Sequence, residues 1–387
     1  MNIIFFVSNL SYPPTEGAHA QSLKLMSQLI KNGVQVTLQG FIKKDSQFIV
    51  SQLKKDIPNL QLGGIKFYSS NYVLLAITNA IKFHSILTFP DDVDIIHFEG
   101  FGVMPLVKNI DDSKTHTLMS LIDPWALRHK NKMLSSKSVI KKPVLFISWL
   151  ISYLFEYYYL PKFNKVHLVS SSDIKKVSLN YPSVKFESIP IAFDTNLVEK
   201  SNYTINNKLK ILFWGDLNVS YLADGLDSFI KIINTFTNFD LEISILGRIT
   251  KDDYIKKYSV NANNYIATKF IEWVDDLNTF IPLYDCVVLT DKSGTGLKNR
   301  AISSMMLGMP LIASNAALDG IEGEDSKHFF KCYTDTDYID ALSLIYSSHS
   351  LRTRMGTAAS TLAKENYSTD SVTAKWLNMY RNLIHGQ

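Results

Sequence analysis

The stretch best equipped for chemistry runs from Asp291 to Ser314, DKSGTGLKNRAISSMMLGMPLIAS. Gly294 and Gly296 flank Thr295, and Lys298 and Arg300 follow. A small-residue loop leading into a helix turns backbone N–H groups and the positive end of the helix dipole toward whatever lies above it. Lys298 and Arg300 would add full charges in the first turn. A phosphate suits such a place. The same residues also read as an ordinary turn between strand and helix with two surface cations. Two carboxylates elsewhere have a comparable position. Glu99 and Asp123 each follow a short apolar run that reads as a strand, so both could face one cleft. An isolated carboxylate at a strand end equally serves to cap a helix.

Regular elements must hold these groups. Cys286 to Thr290 reads as a buried strand, and Leu297 to Leu307 as a helix with Ile302, Met305 and Met306 at helical spacing. Gly308 is placed to end that helix and Pro310 prevents its return, so Leu311 to Ala313 begins the next strand. The start of the chain repeats this order. Asn2 to Val7 is a strand, Ser8 to Gly17 a Pro- and Gly-rich loop, Gln21 to Lys31 an amphipathic helix, and Val34 to Leu38 a strand. Gly17 therefore lies beyond the C-terminal end of the first strand, where open α/β sheets bind ligands and where a small residue permits close backbone approach.

Further strands are expected at Ile65 to Tyr68, Val93 to His97, Thr117 to Ile122, Lys165 to Ser170 and Lys185 to Ile191, with a helix over Tyr72 to Phe83. Residues 198–208 are polar and unpatterned, as in a linker. A second α/β series follows. Leu209 to Trp214 ends at Gly215, Leu226 to Phe236 is helical, and Leu241 to Leu246 ends at Gly247. Tyr265 to Phe270 precedes Ile271-Glu-Trp-Val-Asp-Asp276, Leu277 to Leu283 is a short helix, and three helices close the chain from Ile339 onward. The expected organisation is two α/β domains, 1–197 and 198–368, facing across a cleft. A C-terminal helix, 369–387, would pack back toward the first domain.

Composition narrows the classes. At 387 residues and 46% hydrophobic content, two cores are affordable, and the net charge of +4 lacks the dense basic face of a nucleic-acid binder. The two cysteines, Cys286 and Cys332, form no CxxC and have no histidine at ligand spacing, which argues against structural zinc and for a reducing compartment. The first residues lack a basic leader, so a cytoplasmic protein is expected. Asp335-Thr-Asp337 has metal-binding spacing, but it precedes a helix, where capping is the better account.

One helix is unusual. Val144 to Leu160 is apolar except for Ser148, Ser152 and Glu156, which recur every four positions. It falls short of the roughly 20 apolar residues that span a bilayer. Lys137, Lys141, Lys142, Lys162 and Lys165 flank it. It reads either as a segment lying on an anionic membrane surface through 137–165, or as a helix buried between sheet and neighbouring helices.

Taken in order, these pieces resemble the GT-B glycosyltransferases, in particular the retaining family-4 group and its sugar transferases with the motif Gly-Thr-Gly-x-Lys-Asn-Lys/Arg. The early Pro-Pro-x-x-Gly-Gly loop corresponds to Pro13-Pro-Thr-Glu-Gly17, and Gly-His-x-Val-Thr to Gly33-Val-Gln-Val-Thr37. Ile-Pro-Asn-Gly-Val-Asp corresponds to Ile189-Pro-Ile-Ala-Phe-Asp194. The strand ending in glycine matches Gly215, and the motif from Gly294 to Pro310 has Lys298, Arg300, Met305, Gly308 and Pro310 in register.

The resemblance implies a GT-B fold of two Rossmann-like domains. It also implies transfer of a sugar from a nucleotide sugar to a glycan or lipid-linked glycan, without a required metal or other cofactor. The donor would lie on the second domain, its diphosphate held by Gly294, Thr295, Gly296, Lys298 and Arg300, with Gly17 and Gly215 giving close approach. Ser303 stands where the family has the glutamate that grips the ribose, Thr295 where it has an earlier glutamate, and Glu99 where a sugar-contacting histidine is frequent. Glu99 and Asp123 are the implied sugar-contacting or acceptor-activating groups. The changed ribose position motivates a second reading, a non-catalytic GT-B subunit that scaffolds an active transferase. A nucleotide-sugar epimerase is a third, and it would require more cleft carboxylates and histidines than the sequence places.

Overall fold

The structure is a computed structural model and describes residues 1–14, 17–44, 47–68, 72–81, 92–111, 115–136, 138–195, 200, 208–235 and 239–386. Thr15 and Glu16 of the expected early loop, Lys137, the ends of the helices expected to reach Phe83 and Phe236, and most of the expected linker lie outside the described residues. The chain divides into two compact units, Met1–Ala192 with Val372–Gln387, and Phe193–Ser371.

In the first unit the order is β1 (Asn2–Val7), α1 (Gly17–Lys31), β2 (Gln35–Lys43), α2 (Val50–Asp56), β3 (Gln61–Tyr68), α3 (Tyr72–Ile81), β4 (Ile95–Glu99) and β5 (His116–Ile122). Then come α4 (Trp125–Ser135), α5 (Lys142–Tyr159), β6 (Lys165–Leu168), α6 (Ser171–Val177) and β7 (Phe186–Ser188). The sheet runs β3-β2-β1-β4-β5-β6-β7, with every strand pair parallel. β1 is apolar at successive positions because both its faces are covered. Ile3, Phe5 and Val7 join α1 residues Leu23, Met26 and Leu29 on one face, while Ile4 and Phe6 join Phe98, Met104 and Phe163 on the other.

The second unit contains β8 (Leu209–Trp214), α7 (Ser220–Asn234), β9 (Leu241–Leu246), α8 (Lys251–Tyr258), β10 (Thr268–Ile271), α9 (Leu277–Phe280) and β11 (Cys286–Leu289). It continues with α10 (Asn299–Met306), β12 (Leu311–Ser314), β13 (Phe330–Cys332), α11 (Asp335–Ser347) and α12 (His349–Tyr367). Its parallel sheet runs β10-β9-β8-β11-β12-β13. Ile211 and Phe213 pack on α7 through Leu226 and Phe229, and Leu212 packs on α10 through Ile302, Met305 and Met306. Helix α13 (Thr369–His385) carries the chain back, and its Trp376, Tyr380 and Leu383 lie in the first unit's core.

Both sheets reverse their strand order beside the first strand of the unit, between β1 and β4 and between β8 and β11. Loops leaving adjacent strands toward opposite faces open a crevice there, and in doubly wound folds ligands bind in it.

Two local expectations resolve cleanly. Gly308, at φ +68°, closes α10: its N–H donates to the Met305 carbonyl at 2.9 Å, and Met309 N–H to that of Ser304 at 3.0 Å. Asp335 and Asp337 lie in the first turn of α11, where Asp337 Oδ2 accepts from Thr334 N–H at 2.8 Å and Thr334 Oγ1 accepts from Asp337 N–H, a capping box.

Candidate functional site

At the switch point of the second unit, β8 ends at Trp214 and β11 at Leu289. Beyond β11, Gly294 and Gly296 take φ values of +147° and +68°, conformations that favour glycine. Lys298 is the N-cap residue of α10 and folds back over this loop. Its Nζ donates to the carbonyls of Thr295 at 2.8 Å and Gly296 at 3.2 Å, which leaves the residue only 8% exposed. A Cβ at position 294 would stand 2.7 Å from that ammonium, so the glycine makes room for the lysine as well as for the turn.

Arg300 takes another course. Its Nη2 donates to Asp291 Oδ1 at 2.7 Å, and its Nη1 donates to the Trp214 carbonyl. A side chain at Gly215 would meet Nη1 at 2.9 Å, so the guanidinium lies across the turn that leaves β8. Arg300 thereby ties the ends of the two central strands together. Asp291 is buried, and its Oδ2 has no hydrogen-bond partner among the described residues. Burying a carboxylate is costly unless it is paired and hydrogen-bonded, so the Arg300 bond carries most of the compensation.

Arg300 lines a cavity of about 410 Å³ together with Trp214, Gly215, Asp216, Tyr221, Arg248, Glu272, Trp273 and Leu277. That volume is in the small-ligand range. Arg248, at φ +56°, sits 5.4 Å over the Trp273 ring and 3.7 Å from Asp216. Trp273 is 64% exposed, so an aromatic surface remains for a ligand to stack on. Among the residues expected to hold a donor, the cavity takes in Gly215 and Arg300. Gly294, Thr295, Gly296 and Lys298 form the neighbouring loop, with Tyr221 Oη 3.9 Å from a Cβ at position 294. Ser303 lies within α10, partly exposed, and is not among the cavity's lining residues.

The first unit has a second cavity, of about 420 Å³, at its own switch point. Glu99 and Asp123 both line it, with Ser8, His19, Ser22, Lys43, Trp125 and Arg128. Neither carboxylate is a cap residue. Gly100 precedes the 3-10 stretch Phe101–Asn109, and Pro124 occupies the N-cap position of α4. The Ser22 hydroxyl, from α1, donates to Glu99 Oε1. Burial pushes the Glu99 carboxyl up to about 7, with the Ser22 bond opposing the rise. It would therefore titrate near neutrality, as a general base must. Asp123 follows Ile122, which has φ +62°, and its N–H donates to the Leu121 carbonyl at 2.7 Å. The tight turn aims the chain into the cavity. Gly17 begins α1 with no described residue within 4 Å of its Cβ position and is not among the lining residues, which include its neighbours Ala18 and His19.

Sequence reasoning missed Asp291, Tyr221, Arg248 and Trp273 on one side and Ser22, His19 and Arg128 on the other. Asp291 was written beside the motif, nine residues before Arg300, and that separation crosses a loop whose path no periodicity reveals. Arg248 directly follows the strand-ending Gly247, which is the one signal that could have marked it.

Comparison with known proteins bears on both units. Residues 208–347 match the family model of glycosyl transferases group 1. No curated protein matches the chain in sequence. Among solved structures, a glycosyltransferase from Rickettsia africae is similar at a TM-score of 0.68 and 14% identity, covering 100% of this chain and 99% of that one. Anabaena HepE, solved with UDP, gives a TM-score of 0.66 at 10% identity and covers 99% and 100%. A S. aureus TarM mutant, solved with Fondaparinux, alpha-GlcNAc-glycerol and UDP, gives 0.64 at 12% identity and covers 98% and 99%. At these identities the likeness establishes the fold, which is GT-B.

Proposed function

We propose that this protein is a glycosyltransferase that moves a sugar from a nucleotide-sugar donor to a hydroxyl of a glycan or lipid-linked glycan, as in surface polysaccharide or glycoconjugate assembly. The observation that carries the reading is the second unit's cavity, in which Arg300 is held across the ends of β8 and β11 and Trp273 and Arg248 stand exposed. Arg300 and Arg248 would oppose the charge of the diphosphate as the bond from sugar to phosphate oxygen breaks. Trp273 would give a base its stacking surface. The family resemblance implies that no metal is required. The relatives solved with UDP and UDP-glucose support a nucleotide-sugar ligand.

Glu99 would accept the proton of the attacking acceptor hydroxyl, and Asp123 would bind a sugar hydroxyl in the same cavity. The family-4 resemblance further implies retention of anomeric configuration, for which the acceptor hydroxyl would attack from the face that the diphosphate leaves. A lipid-linked acceptor would place the reaction on the cytoplasmic face of a membrane.

A thermal-shift screen against nucleotide sugars tests the reading, because a ligand that binds only the folded state raises the melting temperature. At least one nucleotide sugar is expected to raise it, while the free sugars do not; no shift with any nucleotide or nucleotide sugar would contradict the assignment. Ser303 favours one alternative, a non-catalytic subunit. That reading predicts donor binding without turnover and co-purification with an active transferase.

A further inference from the structure

Helix α5 is built inside out. Its polar residues face the protein: Ser152 and Glu156 are 0% exposed. His129 Nδ1 lies 2.8 Å from Ser152 Oγ, Ala126 N–H donates to Glu156 Oε1 at 3.1 Å, and Tyr181 Oη donates to Oε2 at 2.8 Å. Several of its large apolar residues face outward. Val144, Ile147 and Leu154 are 66%, 55% and 53% exposed, and Ile140 just before the helix is 89% exposed. Their spacing of three and seven residues puts them on one side. A helix in water presents the reverse pattern, because exposing large apolar side chains forgoes their burial and burying a carboxyl costs desolvation.

The charge along the sequence flanking this helix is almost all of one sign. From Trp125 to Lys165 the sequence carries eight Lys or Arg and one acidic residue, the buried Glu156. Lys141 and Lys142 stand exposed at the start of α5. At its far end Lys162 lies 4.5 Å over the exposed Tyr158 ring. Apolar side chains flanked by lysines and tyrosines match the layering of a bilayer surface, with acyl chains below and anionic headgroups above. Among the described residues, no helix is long and apolar enough to cross a membrane.

We infer that the outward face of α5 docks in the plane of an anionic lipid bilayer, apolar side chains in the acyl region and Lys141, Lys142 and Lys162 on the headgroups. The inference does not depend on the transfer reaction.

The test is co-sedimentation of the full chain with phosphatidylglycerol or phosphatidylcholine vesicles at low and high salt. Wild type is expected to partition onto phosphatidylglycerol and to be released by salt. Ile147→Ser plus Leu154→Ser is expected to weaken partition about tenfold or more, with an unchanged melting temperature because both side chains are exposed. Lys141→Glu plus Lys142→Glu should also weaken it by about tenfold at low salt. No partition of wild type, equal partition onto phosphatidylcholine, or unchanged partition in either double variant would overturn the inference. So would sedimentation velocity showing a stable dimer that the Ile147→Ser plus Leu154→Ser protein does not form, since a second copy would then cover the face.

Discussion

Arg300 donates to Asp291 Oδ1 at 2.7 Å, and the carboxylate's other oxygen is buried with no hydrogen-bond partner among the described residues. The cation that opens α10 is thus locked to the end of β11 and, through the Trp214 carbonyl, to the end of β8. Its remaining surface borders the cavity. Asp291 is a positioning residue in this arrangement, acting on a ligand through Arg300. Asp291→Ala would leave the guanidinium in its partly buried place without its counter-charge. The expected loss is about 3–5 kcal/mol in the unfolding transition of the second unit, measured by urea denaturation. Asp291→Asn keeps one acceptor oxygen, so a smaller loss is expected, together with weaker nucleotide-sugar binding from a less firmly held Arg300. Unchanged stability in Asp291→Ala would remove the pair from this role.

Glu99 gives a pH signature. With its carboxyl pushed up to about 7, a base at this position is ionised only above neutrality, so kcat/KM should rise as pH rises through 7. Ser22→Ala removes the hydrogen bond that favours the ionised form, and the midpoint of the profile should move to higher pH. Glu99→Gln should lower kcat by about 10²–10⁴ and abolish that limb. A midpoint that stays put in Ser22→Ala would assign the limb to another group.

Glu156 affects stability with a definite sign. Burial raises its carboxyl from 4.5 to about 7, against opposing bonds from Ala126 N–H and Tyr181. The folded protein therefore holds this proton to about pH 7, while the unfolded chain releases it near 4.5. The group's contribution to stability is full below 4.5 and is lost as pH rises through 7. Glu156→Gln, neutral throughout and still able to accept from Ala126 N–H, should melt higher than wild type at pH 8, by about 1–3 kcal/mol. The difference should shrink toward pH 5. An unfolding comparison at the two pH values checks both halves.

The return of α13 can be tested at His97. Its Nδ1 lies 2.8 Å from Tyr380 Oη, its Nε2 is buried without a hydrogen-bond partner among the described residues, and the Trp376 ring lies tilted at 5.2 Å between centroids. Burial holds this imidazole neutral, well below its ordinary range. Tyr380→Phe should cost about 1–3 kcal/mol by leaving Nδ1 unpaired as well, and Trp376→Ala about 3–5 kcal/mol through lost packing. Denaturation followed by fluorescence of the first unit would read both.

Much of the fold was legible in the residues. β1, β8 and β9 occupy the expected residues because unbroken apolar runs between turn signals leave little choice. Helix α7 begins at Ser220, six residues before the expected start at Leu226, and carries Gly225 where a Cβ would clash with Thr290. β2 runs to Lys43 rather than Leu38, passing Gly40, whose φ of +139° and close approach to Val7 fit a bulge that propensity alone does not reveal. The polar stripe of α5 was visible as a stripe, but its facing was not. Periodicity states which residues share a side, and only the neighbours decide whether that side is in or out. For the same reason the motif at Gly294 located a loop beyond β11 without showing that Lys298 folds onto its carbonyls or that Arg300 is shared with Asp291.

The most direct test of the central claim is a calorimetric titration of nucleotide sugars into wild type and Trp273→Ala, a substitution at an exposed residue that leaves the core intact. The account predicts saturable binding to wild type and affinity about tenfold or more weaker in Trp273→Ala, from the lost stacking surface at the cavity beside Arg300. Absence of binding by wild type, or identical affinity in the two proteins, would contradict it.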